Sequence, residues 1–588
     1  MKKMSKAISV VLVLCMLVST LGLTSFAAGD FKTKLQNGVA KGIEAIFNGV
    51  FGAVNLILPD GETFYDINEY KDEQFFSGNE TFLDAPAEGA QWMLGSSEIS
   101  LVPDDWKEYD YFLGGYIMLE NGMNNRVEEI LDDMRARVIA ISDNTDRGVA
   151  VFATIDSIGL TNQDIREIRA KLVEKAGDDF DFSGISVSST HCHSGIDTEG
   201  LWTNIFGKAV KNLFKAVTRI GKLDQGTDPK YMEFLYDKVS DAMLAACKEM
   251  VPGTMTFAQK DIGDDYFGNK NRPSASALIT DMTRFVFTPD VVTKENRPTM
   301  IVNVAAHPDV AGLPTNDNQG NGRGISGDFI YYMGETINGA GYDFMYFSGA
   351  IAGIYMARGA TNNGQVFTHR VQQSERYGNE LGRIALSLTL TEEQIIADDY
   401  ITNDEREAAE REVAEKNGGK YLLWYEGWEP VTEKTLAPVF NVAFKEVDVH
   451  VTNSFIKIAG KLKLANYDIL KDGREYYVRT EIGYMEIGDI KIALMPGEVC
   501  QDLVVGGTSL EAETAFRGED FNGKTIVEIF GEGTVAFGLM NDAIGYVIPD
   551  NDYCMSVVFN HYHELISLGD ETASTIMAAF EELAEEIK

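Results

Sequence analysis

The chain has 588 residues, 45% of them hydrophobic, enough to bury a large core or several. Its formal net charge of −39 excludes a nucleic-acid-binding surface, which needs clustered Lys and Arg to neutralise phosphates. Five cysteines in a chain of this length are too few for a disulfide framework.

Residues 1–27 read as an export signal. Met1-Lys2-Lys3 and Lys6 form a positive start, Ile8 to Leu23 is a short apolar run, and Ser25, Ala27 and Ala28 are small residues suited to cleavage. No later stretch is apolar enough to span a bilayer, so the expectation is a secreted, soluble protein. With Cys15 removed, Cys192, Cys247, Cys500 and Cys554 leave room for one bridge between an unspecified pair. Residues 28–100 read as an N-terminal helical and extended segment. Leu35, Val39, Ile43, Ile46, Phe47, Val50 and Val54 recur there at helical spacing, suited to packing on the body or to binding a surface.

Residues 101–588 read as one large domain, with no internal repeat and no Pro/Ser-rich linker. Strands are expected at Ala136–Ile141 and Val149–Ile155, paired across a turn rich in Asp, Asn and Gly, and at Ile185–Val187. Further strands are expected at Met300–Val304, Phe344–Phe347, Met485–Ile487, Ile490–Leu494 and Thr534–Leu539, with helices at Gln163–Lys175, Phe329–Ile337, Asp404–Glu415 and Ala573–Ile587. The fold class that follows is α/β with mixed α+β character, mixed β-sheets flanked by helices. Residues 201–223 depart from the acidic average. Lys208, Lys211, Lys215, Arg219 and Lys222 occur there without any acid, beside an apolar stripe through Trp202, Ile205, Phe206, Val210, Leu213, Phe214 and Val217. Such a stretch suits peripheral contact with an anionic membrane or a lipid-like substrate, and equally an ordinary helix whose positive face meets the acidic body.

The strongest chemical signal is Thr190-His191-Cys192-His193-Ser194-Gly195 at a strand end. Two of only seven histidines sit two apart there, and extended backbone would turn both rings to one face. Cys192 would then point the other way, into the core. Strand 300–304 ends in Ala306-His307-Pro308, and strand 490–494 in Pro496-Gly497-Glu498. Polar residues just past three strand ends are where hydrolase zinc ligands are commonly held, three or four protein donors with a position left for water. His561 and His563 flank Tyr562 and can approach such a site, and His369 and His450 have no strand-end context.

These residues resemble the neutral/alkaline, non-lysosomal ceramidases, whose signature is similar to Ser188 through Gly195. Arg135-Ala136-Arg137 with Val151 through Asp156, Asn271 through Ser276, Ile325-Ser326-Gly327-Asp328, Pro496-Gly497-Glu498, and Asn541 through Tyr546 resemble further family motifs in the same order. The resemblance implies a zinc ion held by His191, His307, Glu498 and Tyr546. It implies His193 as a proton-handling or substrate-contacting catalytic residue, and Arg272 at the substrate head or a developing oxyanion. The chain departs from the family where Gly-Asp-x-Ser is expected, reading Ala352-Gly353-Ile354-Tyr355-Met356 instead. It departs again where Ile196 through Glu199 replaces a Gly-Pro-Gly-Gly run. About forty residues follow Tyr546, so the resemblance is expected to stop short of the C-terminal module of many members. The expected function is a zinc-dependent hydrolase cleaving an amide bond by metal-activated water, acting on a small amphipathic amide or a ceramide-like N-acyl lipid. The alternatives are a zinc hydrolase of a soluble amide or ester, and an exported binding protein that keeps the scaffold without catalysis.

Overall fold

The computed structural model describes residues 30–588 apart from 62, 116–124, 204, 270–271, 273, 312–322, 357–369, 403–407, 409–410, 413–414, 417–422 and 557–560. Two sheets stack face to face. The larger has nine strands. Its path runs through Asp343–Ser348, Thr299–Val304, Asp281–Pro289, Val251–Asp261, Trp92–Ser100, Arg135–Ser142, Val149–Ile155 and Phe182–Ser189, and Lys434–Leu436 pairs beside Val251–Asp261. The smaller has six strands, Phe64–Asp66, Ile469–Asp472, Glu475–Ile487, Ile490–Leu494 and Val535–Phe537, with Phe440–His450 along Glu475–Ile487. Parallel pairs at 299–304 with 343–348 and at 149–155 with 182–189 mix with antiparallel ones, giving the expected α/β class with mixed sheets. Strands Phe64–Asp66 and Trp92–Ser100, which the sequence places in the N-terminal segment, belong to these two sheets.

Aromatic and aliphatic side chains fill the space between the sheets. Phe152, Phe285 and Phe347 of the larger meet Phe440, Met485 and Phe537 of the smaller, and the rings of Phe347 and Phe537 stack at 4.4 Å. Each such side chain contributes about 1.5–3 kcal/mol on burial. Helices cover the outer faces. Asn162–Ala176 and Pro229–Lys248 pack on one half of the larger sheet, and Asp328–Gly339 and Arg370–Ser387 on the other. Thr572–Glu586 covers the smaller sheet. The result is a helix–sheet–sheet–helix layering, in which each amphipathic element buries its apolar face.

Local chemistry sets the element ends. The Thr161 hydroxyl accepts from the Asp164 N–H, and the Asp164 carboxylate accepts in return from Thr161, so the first turn of helix Asn162–Ala176 is capped reciprocally. The strands expected at 136–141 and 149–155 pair with Ala136 opposite Ile155. The basic stretch forms a helix, Ile205–Thr218, and the periodic N-terminal stretch forms another, Asp30–Ile57. The export signal lies outside the described residues, as does most of the helix expected at 404–415. Among the described residues, no helix is long and apolar enough to cross a membrane. Cys192, Cys247, Cys500 and Cys554 are all free and buried.

One long-range feature positions the site. The larger sheet curls until its two ends approach. Ser348, closing one edge strand, donates its hydroxyl to the Thr190 carbonyl just past the other edge strand, at 3.1 Å.

Candidate metal centre

Because those edges meet and the smaller sheet stacks against the larger, residues that follow separate strands converge. His191 and His193 follow strand Phe182–Ser189, His307 follows Thr299–Val304, and Glu498 follows Ile490–Leu494. The backbone through the first two is not extended, as the two-residue spacing suggested. The strand stops at Ser189, and His191 has φ +65, the left-handed region. Hydrogen bonds from Thr190 N to the Ile155 carbonyl (2.9 Å) and from Cys192 N to the Ser157 carbonyl (3.0 Å) hold this turn. The rings of His191 and His193 still end 4.8 Å apart, brought together by the turn rather than by strand alternation. Cys192 faces the core, its thiol donating to the Ser326 carbonyl at 2.9 Å.

The hydrogen bonds assign the tautomers. His191 Nδ1 lies 2.7 Å from the Ile158 carbonyl, and His307 Nδ1 lies 2.8 Å from the Ile354 carbonyl. A carbonyl only accepts, so both Nδ1 atoms carry hydrogen, and each ring in its neutral form presents a lone pair at Nε2. Those Nε2 atoms lie 3.2 and 3.0 Å from the same oxygen, Glu498 Oε2. Two lone pairs converging on one anion require a shared cation, either a proton or a metal. Ligand atoms about 2.0–2.1 Å from a common zinc-type ion, at angles of about 90–109°, stand roughly 2.9–3.4 Å apart, which matches. The ligating nitrogens of His191, His193 and His307 also lie within 4.8 Å of one another. The donor set therefore fits a divalent cation.

Tyr546 completes the cluster. Its phenol faces the Glu498 carboxylate, and the two residues pair directly in a short parallel ladder, Glu498–Val499 with Tyr546–Val547. Burial raises the Glu498 carboxyl, but His191 and His307 together pull it well below the ordinary carboxylate range. Burial, reinforced by His191 and His307, drives the His193 pKa well below its usual value, so its ring is neutral near pH 7. Burial and the facing Glu498 carboxylate push the Tyr546 phenol up, keeping it protonated.

The cluster forms one end of a cavity of about 260 Å³. Away from it the walls are apolar, built from Trp202, Phe455, Ile456, Ile469, Val478 and Leu568. Phe455 and Ile456 belong to the short helix Ser454–Lys461. Near the histidines, Asp309, Glu199 and Tyr562 add polar surface, and no Lys or Arg occurs among the described lining residues.

Arg272 lies elsewhere. The resemblance implied a place at the substrate head or a developing oxyanion, but its guanidinium is buried against Asp552 (2.5 Å) and Glu564 (3.1 Å) and it does not line the cavity. Both partners have a structural task, since Glu564 also bonds His561 Nδ1 at 3.0 Å and Asp552 accepts from Ser274 and Phe516 N. Arg272 thus anchors the segment that carries His563, whose ring packs on Tyr546 at 4.6 Å. Of the spare histidines, His450 pairs with Glu475 and Glu571, and His369 lies outside the described residues. The departing run at 352–356 also has a role in the site, because the Ile354 carbonyl accepts from both His307 N (3.1 Å) and His307 Nδ1. Sequence reasoning missed Asp309, Glu199 and the helix 454–461. Only Asp309 carried a signal, two residues past His307; the others reach the cavity through packing alone.

No family model matches the chain, and no curated protein matches it in sequence. Among solved structures, the neutral ceramidase from Pseudomonas aeruginosa superposes with a TM-score of 0.53 at 13% identity, covering 84% of this chain and 74% of that one. A ceramidase complexed with C2 superposes with a TM-score of 0.52 at 12% identity, covering 84% and 75%. At this identity the likeness concerns the backbone, and by it the chain has the fold of the neutral ceramidases.

Proposed function

We propose that this chain is an exported, zinc-dependent hydrolase that cleaves an amide bond, its substrate an N-acyl lipid of the ceramide type. The observation that carries this reading is the convergence of two Nδ1-fixed imidazoles and one carboxylate at the polar end of an otherwise apolar cavity. Its apolar walls suit an acyl chain better than a soluble amide. The fold shared with ceramidases supports the same class.

His191, His307 and Glu498 would hold the ion, with Tyr546 as the fourth donor. Bound there, zinc supplies Lewis-acid activation of the acyl carbonyl and of the attacking water. His193, neutral and beside the cluster, accepts the proton that water releases as the C–O bond forms. It returns that proton to the leaving nitrogen as the C–N bond breaks, so a carboxylic acid and an amine leave. Backbone carbonyls of Ile158 and Ile354 keep the ligand rings oriented throughout.

Metal analysis of the purified protein tests this directly. About one zinc per chain is expected, lost in His191→Ala/Glu498→Ala, together with chelator-sensitive hydrolysis of N-acyl amides. His193→Ala should keep the metal while losing roughly a hundredfold or more in kcat. A purified chain that takes up no zinc, or that hydrolyses equally well in chelator, would overturn the reading.

A further inference from the structure

Two helices leave an apolar surface uncovered beside the cavity. On the basic helix Ile205–Thr218, Ala209, Leu213 and Ala216 pack against Val54, Leu58, Ala459 and Leu464. The adjoining sector is exposed: Val210 by 65%, Phe214 by 62% and Val217 by 40%, with Ile220 just past the helix end at 67%. At about 100° per residue, those three helical positions fall within roughly 60° of one another. On the neighbouring N-terminal helix, Ile46, Leu56 and Ile57 are 52%, 90% and 71% exposed. Ala45 through Pro59 contains no charged residue, in a chain of net charge −39. Apolar side chains exposed in number on two neighbouring helices mark an interaction surface more often than chance exposure.

The remaining sector is basic. Lys211 and Lys215 share a single acid, Asp224, each at 2.6 Å, and Arg219 and Lys222 are exposed. The surface also adjoins the cavity. Helix Ser454–Lys461 packs on the N-terminal helix through Phe455 against Phe51 (ring centroids 5.6 Å), and the same helix lines the cavity with Ile456 and Ala459. Trp202, just ahead of the basic helix, lines it too.

We propose that these two helices dock the protein on an anionic lipid bilayer. The exposed apolar sector enters the acyl boundary, and Lys211, Arg219 and Lys222 meet head-group phosphates. A two-fold contact with a second copy fits less well, because an isologous interface sets these cations against their own copies. The relevance to catalysis rests on the proposed function, since docking here would present the cavity to a membrane-resident amide.

Co-sedimentation of the full chain with phosphatidylcholine vesicles, with and without phosphatidylglycerol, tests the surface without any turnover. Binding is expected with phosphatidylglycerol and should weaken as salt is raised. Leu56→Asp/Phe214→Asp should lower the apparent affinity about tenfold or more. Val291→Asp/Val292→Asp, at exposed apolar positions elsewhere, should leave it unchanged. If the first variant melts early, Lys211→Gln/Lys222→Gln serves instead, and a reduced salt dependence is expected. No binding to phosphatidylglycerol vesicles, or equal binding by stably folded patch variants, overturns the proposal. So does a dimer in sedimentation velocity that Leu56→Asp/Phe214→Asp dissolves. Vesicle binding without amide hydrolysis would refute the proposed function and leave this surface standing; hydrolysis of a micellar amide without vesicle binding would do the reverse.

Discussion

Gly497 has φ +70, and a Cβ there would sit 2.4 Å from the Gly545 carbonyl oxygen. Both constraints act one residue before Glu498, where the ladder to Tyr546 begins. Gly497→Ala should therefore push the two strands apart and carry the carboxylate away from the imidazoles. The expected cost is about 1–3 kcal/mol from backbone strain alone. Thermal melting together with zinc content reads it, and a variant that keeps full zinc occupancy and an unchanged Tm would contradict this account. Gly115 is constrained in a similar way, since it has φ +101 and a Cβ there would lie 2.7 Å from both the Cα and the Cβ of His193. Near the cluster, the residue types thus follow from how closely backbone and rings approach.

At the scale of elements, Arg272 is the clearest case of a charge used for assembly. It lies 4% exposed and bonds carboxylates from two segments, Asp552 and Glu564. Arg272→Met should leave both buried without their cation and cost roughly 3–5 kcal/mol, measured by urea unfolding. A cost near zero would show that water reaches the pair. The same cluster sets an acid limit. Burial raises Glu564, but Arg272, His561 and His563 outweigh it and bring its pKa to about 2. Since the folded value lies below the unfolded one, the native state stays ionised where the unfolded chain already takes a proton. Stability from Glu564 is then complete above about pH 4.5 and lost as pH falls toward about 2. Unfolding midpoints between pH 5 and 3 should fall less steeply in Arg272→Met than in the parent. The helix Ser454–Lys461 offers a test of the acyl wall. Ile456→Ala should raise KM for long-chain amides several-fold, by loss of apolar contact, and leave short-chain amides nearly unchanged.

For the whole molecule, closure of the larger sheet brings His191 and His307 together, and the stacking of the smaller sheet on it adds Glu498. The contact between Ser348 and Thr190 and the packing between the two sheets hold it. Much of the framework was legible beforehand. Strands at 136–141, 149–155 and 300–304 are short apolar runs and the helix at 163–175 has helical patterning with a local cap, signals that depend only on near neighbours in sequence. Histidine spacing and strand-end placement made His191, His193, His307 and Glu498 stand out for the same local reason, and the resemblance supplied Tyr546. Other properties were not local. The left-handed turn at His191 is set by bonds to Ile155 and Ser157, the fate of Arg272 by acids some 280 and 292 residues away, and the cavity walls by helix 454–461 packing across the chain. Sequence by itself therefore determined the elements and the identity of the chemical groups, because periodicity and side-chain chemistry are encoded residue by residue. Only the tertiary structure decided which groups meet, which charge is consumed in holding segments together and which apolar faces stay uncovered, because those follow from packing between distant segments.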